Sequence, residues 1–265
     1  MKKKYKLTEE SITFNGKTLY RIEAVIDFSN IKKGQKGGFI ETESNLSHDG
    51  NAWVGDNAIV CDNAIVSCYA RVRGDASIRG NAKISDGALV YGNVKVSGNA
   101  IIYGHSKVFD CAIVYGNAKV SGYAQVSGYS NVSGNACVGG NAKVSGNASV
   151  SDYAKVSGNA WVVDNASVFD KAKVSGKSMI SGYADVSGDA NVCANEDYIV
   201  FQNWWSSHRY FTWTRSNNMW RVGCFYGTGE ELINKAYKDS EKSGREYERI
   251  VKCVESILSD NKKKI

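Results

Sequence analysis

Proline is absent from the 265 residues, and between residues 51 and 194 there is no Glu. Without Pro, the turns fall to Asn, Asp and the 27 Gly, residues that tolerate φ > 0. No apolar run approaches the ~18–20 residues of a membrane span. The positive start at Met1–Lys4 runs into polar Tyr5–Glu10, which does not read as a secretory signal. Seven cysteines (Cys61, Cys68, Cys111, Cys137, Cys193, Cys224 and Cys253) form no CxxC pair and no Cys/His group with metal spacing. Reduced thiols, no metal site, no cofactor and a cytoplasmic, membrane-free protein are therefore expected.

Concentrated charge is missing too. The net charge is +6, but residues 1–50 carry +9/−7, residues 51–194 carry +12/−10 and residues 195–265 carry +12/−10. Each segment is +2, so no basic module of the duplex-DNA-binding kind stands out.

What is present is a repeat. From Asn51 to Ala194 the chain divides into 24 consecutive hexads without an insertion, from NAWVGD and NAIVCD to YADVSG and DANVCA. Place four is Val or Ile in all 24, and place two is Ala in 20, the exceptions being Val94, Ser106, Ser130 and Ser178. Place six is Gly or Asp except at Cys68 and Ala194, and place one is Asn in 12 hexads. Side chains alternate along a strand, so places two and four point inward and three and five outward. A corner every six residues closes a triangle after three. Eighteen residues make one coil, and 24 hexads make eight.

This pattern resembles the hexapeptide-repeat superfamily, in which an aliphatic residue is followed four places on by a small one, as in Val120-Ser-Gly-Tyr-Ala124. The resemblance implies a left-handed parallel β-helix of triangular section, and association of faces about a threefold axis. The expected fold is mainly β: about eight coils, an N-terminal β-hairpin cap over residues 1–50, the solenoid over 51–194 and a small α+β domain over 195–265.

Residues 4–27 read as a hairpin turning at Asn15-Gly16, followed by a Gly-containing loop over 30–50. After Ala194, strands are expected near 197–204, 209–216 and 219–226, and helices near 229–242 and 245–259. Thr228-Gly-Glu-Glu231 reads as a capping box opening the first helix.

Hexads three apart share a face. One face carries Trp53, Leu89, Tyr91, Phe109, Trp161, Val163 and Met179, an aromatic stripe expected to join copies into a homotrimer, with docking of the chain's own termini as the alternative. A second carries Lys83, Lys119, Lys155 and Lys173, read as a solvated face, and the third is mostly small and polar. In the C-terminal segment Trp205, Ser207, His208, Arg209, Arg215, Arg221 and Thr228 are the candidate binding residues. Arg side chains and a helix N-terminus grip anions, and Trp beside Arg stacks on planar groups. Against this stands the reading of Trp as core and Arg as strand surface.

The superfamily is rich in acyltransferases that bind acyl-CoA between solenoids and use a His as general base. Here the hexads contain only His105, at a corner, and no loop is inserted between coils. Three zinc-binding His cannot be assembled from His48, His105 and His208. The chain also resembles phage- and prophage-borne hexapeptide-repeat proteins in Lys36-Gly-Gly-Phe-Ile40, Asn45-Leu-Ser47 and Gly223-Cys-Phe225. The expected function is a non-catalytic scaffold. Its solenoid oligomerises and presents a C-terminal domain to a protein or a small anionic ligand, to sequester or inhibit a host factor in the cytoplasm of the host bacterium. A hexapeptide acyltransferase is the alternative.

Overall fold

The computed structural model describes residues 3–205 and 207–262; Met1, Lys2, Ser206 and residues 263–265 lie outside them. A hairpin of β1 (Tyr5–Phe14) and β2 (Lys17–Ala24) turns at Asn15 and Gly16, both at positive φ, as the Asn-Gly pair requires. Strand β3 (Lys36–Ile40) follows. Twenty-four two-residue strands, β4 (Trp53–Val54) through β27 (Asn191–Val192), then make a parallel, left-handed β-solenoid of eight full coils. Each strand pairs with the one 18 residues on: Lys95 with Ile113, Val96 with Val114. Three sheets form the three faces.

The hexad grammar accounts for the geometry. Every side chain at places two and four is buried, giving one continuous Ala/Val/Ile core. Serine is tolerated at inward place two because its hydroxyl donates to the carbonyl three residues back: Ser106 to Tyr103, Ser130 to Ser127, Ser178 to Ser175, at 2.7–2.8 Å. Place six is left-handed except at the final Ala194, at φ +55 for Asp56 and +72 for Gly74, and many of its Asp carboxylates accept an N–H one coil on, as Asp62 does from Gly80 at 2.8 Å. Place-one Asn side chains form ladders; Asn63, Asn81, Asn99, Asn117 and Asn135 are linked in turn at 3.0–3.1 Å.

The loop expected over residues 30–50 is part of the solenoid. Phe39–Ile40 pairs in parallel with Ile59–Val60, and Leu46 bridges Val66, so a partial ninth coil precedes the eight. Its offset is 20 residues rather than 18, which hid it from the hexad count. Buried Asn45 stands in for a strand here, its amide donating to the carbonyls of Asp62 and Ala64 at 2.9 Å.

The other end closes differently. In inner coils the place-three N–H donates to the next coil, as Trp161 does to Ser178. The last coil has no successor, and side-chain oxygens take over: Met179 N–H donates to Asn195 Oδ1, Asp185 N–H to Thr212 Oγ1 and Asn191 N–H to Ser216 Oγ, at 2.7–2.9 Å. One acceptor caps each face, which satisfies backbone donors that burial would otherwise penalise.

Those acceptors belong to, or lead into, an antiparallel sheet of β28 (Tyr198–Gln202), β29 (Tyr210–Thr214), β30 (Met219–Val222) and β31 (Phe225–Gly227). Four strands replace the three expected because Gly223, at φ +56, turns the chain within the segment read as one strand. Alternation divides the sheet's faces. Tyr198 and Val200 pack on the rod, whereas Phe211, Trp213, Trp220 and Val222 pack under the helices. Helix α1 (Gly229–Asp239) starts at the Thr228 capping box, and α2 (Glu241–Lys262) follows after the single residue Ser240. No described helix is long and apolar enough to cross a membrane.

Candidate functional site

The β28–β29 connection carries two consecutive tryptophans that strand alternation cannot bury together. Trp204 is 71% and Trp205 68% exposed. The turn is closed beneath them: buried Asn203 donates its N–H to the Arg209 carbonyl, and its Oδ1 accepts the Trp205 N–H, both at 2.9 Å. His208 sits at φ +51. On α2, Glu246, Arg249, Ile250 and Cys253 recur at i, i+3, i+4 and i+7, so they share one side of the helix. With Trp205, Phe201 and Gln202 they line an apolar cleft of about 330 Å³. The Oε2 atom of Glu246 is buried without a hydrogen-bond partner among the described residues. The cleft thus offers aromatic and aliphatic walls, an unsatisfied acceptor, an exposed guanidinium and an exposed thiol.

The expected binding residues are only partly brought together. Trp205 lines the cleft, and Ser207 lies beside it, its Oγ 3.2 Å from the Tyr247 hydroxyl. The three arginines disperse. Arg209 lines a separate cleft of about 360 Å³ with Gly223, Cys224 and Lys235. Arg215 is exposed beyond the far end of β29. Arg221 points at the rod, its guanidinium 4.9 Å from the Phe169 ring centroid, because alternation on β30 sends Trp220 and Val222 the other way. Thr228 is used up locally: its hydroxyl accepts the Glu231 N–H, and the Glu231 carboxylate accepts the Thr228 N–H. An anion grip built from Arg209, Arg215, Arg221 and Thr228 is therefore not formed. Phe201, Glu246, Arg249, Ile250 and Cys253 escaped sequence reasoning because α2 reads as a core-facing helix. The Trp-Trp pair in a turn was the one available signal.

On the rod, Trp53 leaves the expected stripe. It is 4% exposed, covered by the N-terminal segment with Phe28 edge-on at 5.6 Å. Tyr91 stacks on Phe109 at 5.2 Å, and Leu89 and Val163 are half-buried. Trp161 and Met179 remain open at 39% each, with the Lys143 ammonium 4.5 Å over the indole. His105 stacks on Tyr123 at 5.3 Å and lies against Gly87; none of the clefts named above includes it.

Glu41, Cys61 and Asp62 place their ligand atoms within 4.8 Å of one another, a grouping their sequence spacing does not suggest. The Lys17 ammonium already lies between the two carboxylates, 3.0 Å from Glu41 and 2.6 Å from Asp62. Burial pushes the Cys61 thiol up to about 11, so it stays protonated at neutral pH. The group is an ion-pair centre that ties the hairpin to the first coil.

No family model matches the chain. A similar protein is the "Uncharacterized acetyltransferase YdcK" of Escherichia coli (strain K12), 33% identical over 81 residues, which cover 27% of this chain and 25% of that protein. The chain thus spans about a quarter of the length of this relative.

Proposed function

We propose that this protein is a non-catalytic scaffold that presents its C-terminal module to a partner protein, with the Trp205 cleft as the contact. The observation that carries the reading is the pair of exposed tryptophans beside an apolar cleft that holds an unsatisfied carboxylate oxygen. Exposed Trp flanking a concavity is the composition of an interaction hot spot. The uninterrupted hexads support a display role, since no inserted loop builds an acceptor pocket on the rod. In the same reading, copies associate through the face of Trp161 and Met179, and multivalent display raises apparent affinity without new contacts. A phage- or prophage-borne inhibitor of a host factor belongs to this proposal through the resemblance of Lys36–Ile40 and Asn45–Ser47.

The test immobilises the full chain and a Trp205→Asp variant against bacterial lysate. A protein retained by the first and released by the second is the expected result. Equal retention by both ends the reading. Sedimentation of wild type and Trp161→Glu decides self-association, which the substitution should abolish.

The similarity to YdcK favours a second reading, acetyl transfer. It requires acetyl-CoA binding, measurable by calorimetry, that weakens in a His105→Ala variant.

A further inference from the structure

At the opposite end of the rod from the Trp205 cleft, the N-terminal loop and the first coils enclose another cleft, of about 430 Å³. Strand β7 (Arg71–Val72) turns Val72 inward, so Arg71 and Arg73, two residues apart, both project outward into this cleft, about 6–7 Å from each other along the strand. Trp53 and Leu89 form its apolar wall, from the coils on either side. Gly55 leaves a gap: a Cβ placed there meets nothing nearer than the Trp53 indole at 3.5 Å, with the Arg73 Cβ at 3.9 Å.

The charges here are unbalanced. Arg71 donates to the neutral Asn30 Oδ1 at 3.0 Å, and Arg73 lies over the Tyr91 ring at 5.1 Å; neither forms an ion pair with a carboxylate among the described residues. Lys36, at the rim, is matched by Glu10 at 2.8 Å. Behind Arg71, Lys4 is 2% exposed; its ammonium donates to the Gly50 carbonyl at 3.3 Å and lies 5.4 Å over Phe28. The one carboxylate in the lining, Asp56, accepts the Gly74 N–H at 2.9 Å. Lys4 has Asp49 as a nearby counter-charge, but Arg71 and Arg73 have none within ion-pair distance among the described residues. Holding half-buried Arg71 beside exposed Arg73 without a carboxylate is costly, and leaves a place for an anion. Burial first, and the neighbouring Arg71 second, hold the Lys4 amine down to about 8 against the opposing pull of Asp49.

We infer that this cleft binds a small organic oxyanion, a carboxylate or a phosphate ester on an apolar body, with Arg71 and Arg73 on the oxyanion and Trp53 and Leu89 against the body. Guanidinium pairs both heads bidentately. The site is independent of the Trp205 cleft.

Calorimetry on the full chain tests it with phenylacetate and phenyl phosphate, and with benzyl alcohol as the neutral control. At least one anion should bind and the alcohol should not, with affinity falling as salt rises. Arg73→Gln, an exposed position, should weaken binding tenfold or more, and Gly55→Leu should block it by filling the gap. If Gly55→Leu fails to fold, Arg73→Gln carries the decision. Which anion binds more tightly assigns the head group. Binding of neither anion, equal binding of benzyl alcohol, or undiminished affinity in Arg73→Gln overturns the inference.

Discussion

The hydroxyl of Thr212 accepts the backbone N–H of Asp185 at 2.9 Å, so a side chain of the C-terminal sheet completes the last rung of one solenoid face. Both residues are partly or fully buried, so no water replaces this bond freely. A Thr212→Val substitution keeps the shape and strands the donor, which costs about 1–3 kcal/mol. Urea unfolding should show the loss, and hydrogen exchange should place it at Asp185. Unchanged protection there would refute the capping role.

Arg221 and Phe169 make a further tie between rod and module, at 4.9 Å. A half-buried cation–π pair contributes about 0.5–2 kcal/mol. In a double-mutant cycle of Arg221→Met and Phe169→Ala, the coupling should fall in that range. Additivity within about 0.3 kcal/mol would show that the contact is incidental.

Lys4 gives a pH signature. Burial first, and Arg71 second, hold its amine at about 8 in the folded protein against an ordinary 10.5. Between those values the unfolded chain binds more protons than the folded one, so Lys4's contribution to stability rises with pH across the window. Below about 8 both states carry the charge and the full burial cost persists. Lys4→Met should therefore be the more stable protein at pH 7, with the gap narrowing from pH 8 upward by at most about 1.4 kcal/mol per pH unit. Lys4 also helps to hold His48 below its ordinary value, but His48 is neutral throughout the window above pH 8, so the difference there reports Lys4. A gap independent of pH would contradict the assignment.

Thr228 should act on stability alone. Removing its cap with Thr228→Ala should cost about 1 kcal/mol by thermal unfolding. Partner capture through the Trp205 cleft should be retained. Loss of capture at full stability would return Thr228 to the binding residues.

Much of the fold was legible because one hexad fixes its own geometry: inward Ala and Val, left-handed Gly or Asp, corner Asn. The ninth, partial coil was not, because Asn45 and the 20-residue offset break the pattern while keeping the pairing. The candidate site was legible only at Trp205. Period-two patterning shows that Arg221 is opposite Trp220, but not which side of the sheet meets the rod.

The sequence by itself determined the coil, since every place-four Val or Ile before the last coil meets another Val or Ile 18 residues on, whatever the rest of the chain does. Only the tertiary structure decided which outward residues stay outward. Trp53 and Arg221 are covered by segments far away in the chain, while Trp161 and Trp205 are left open. Local periodicity fixes the direction of a side chain. Its environment depends on where the two ends of the chain fold back, and that is set by the unpaired backbone of the first and last coils.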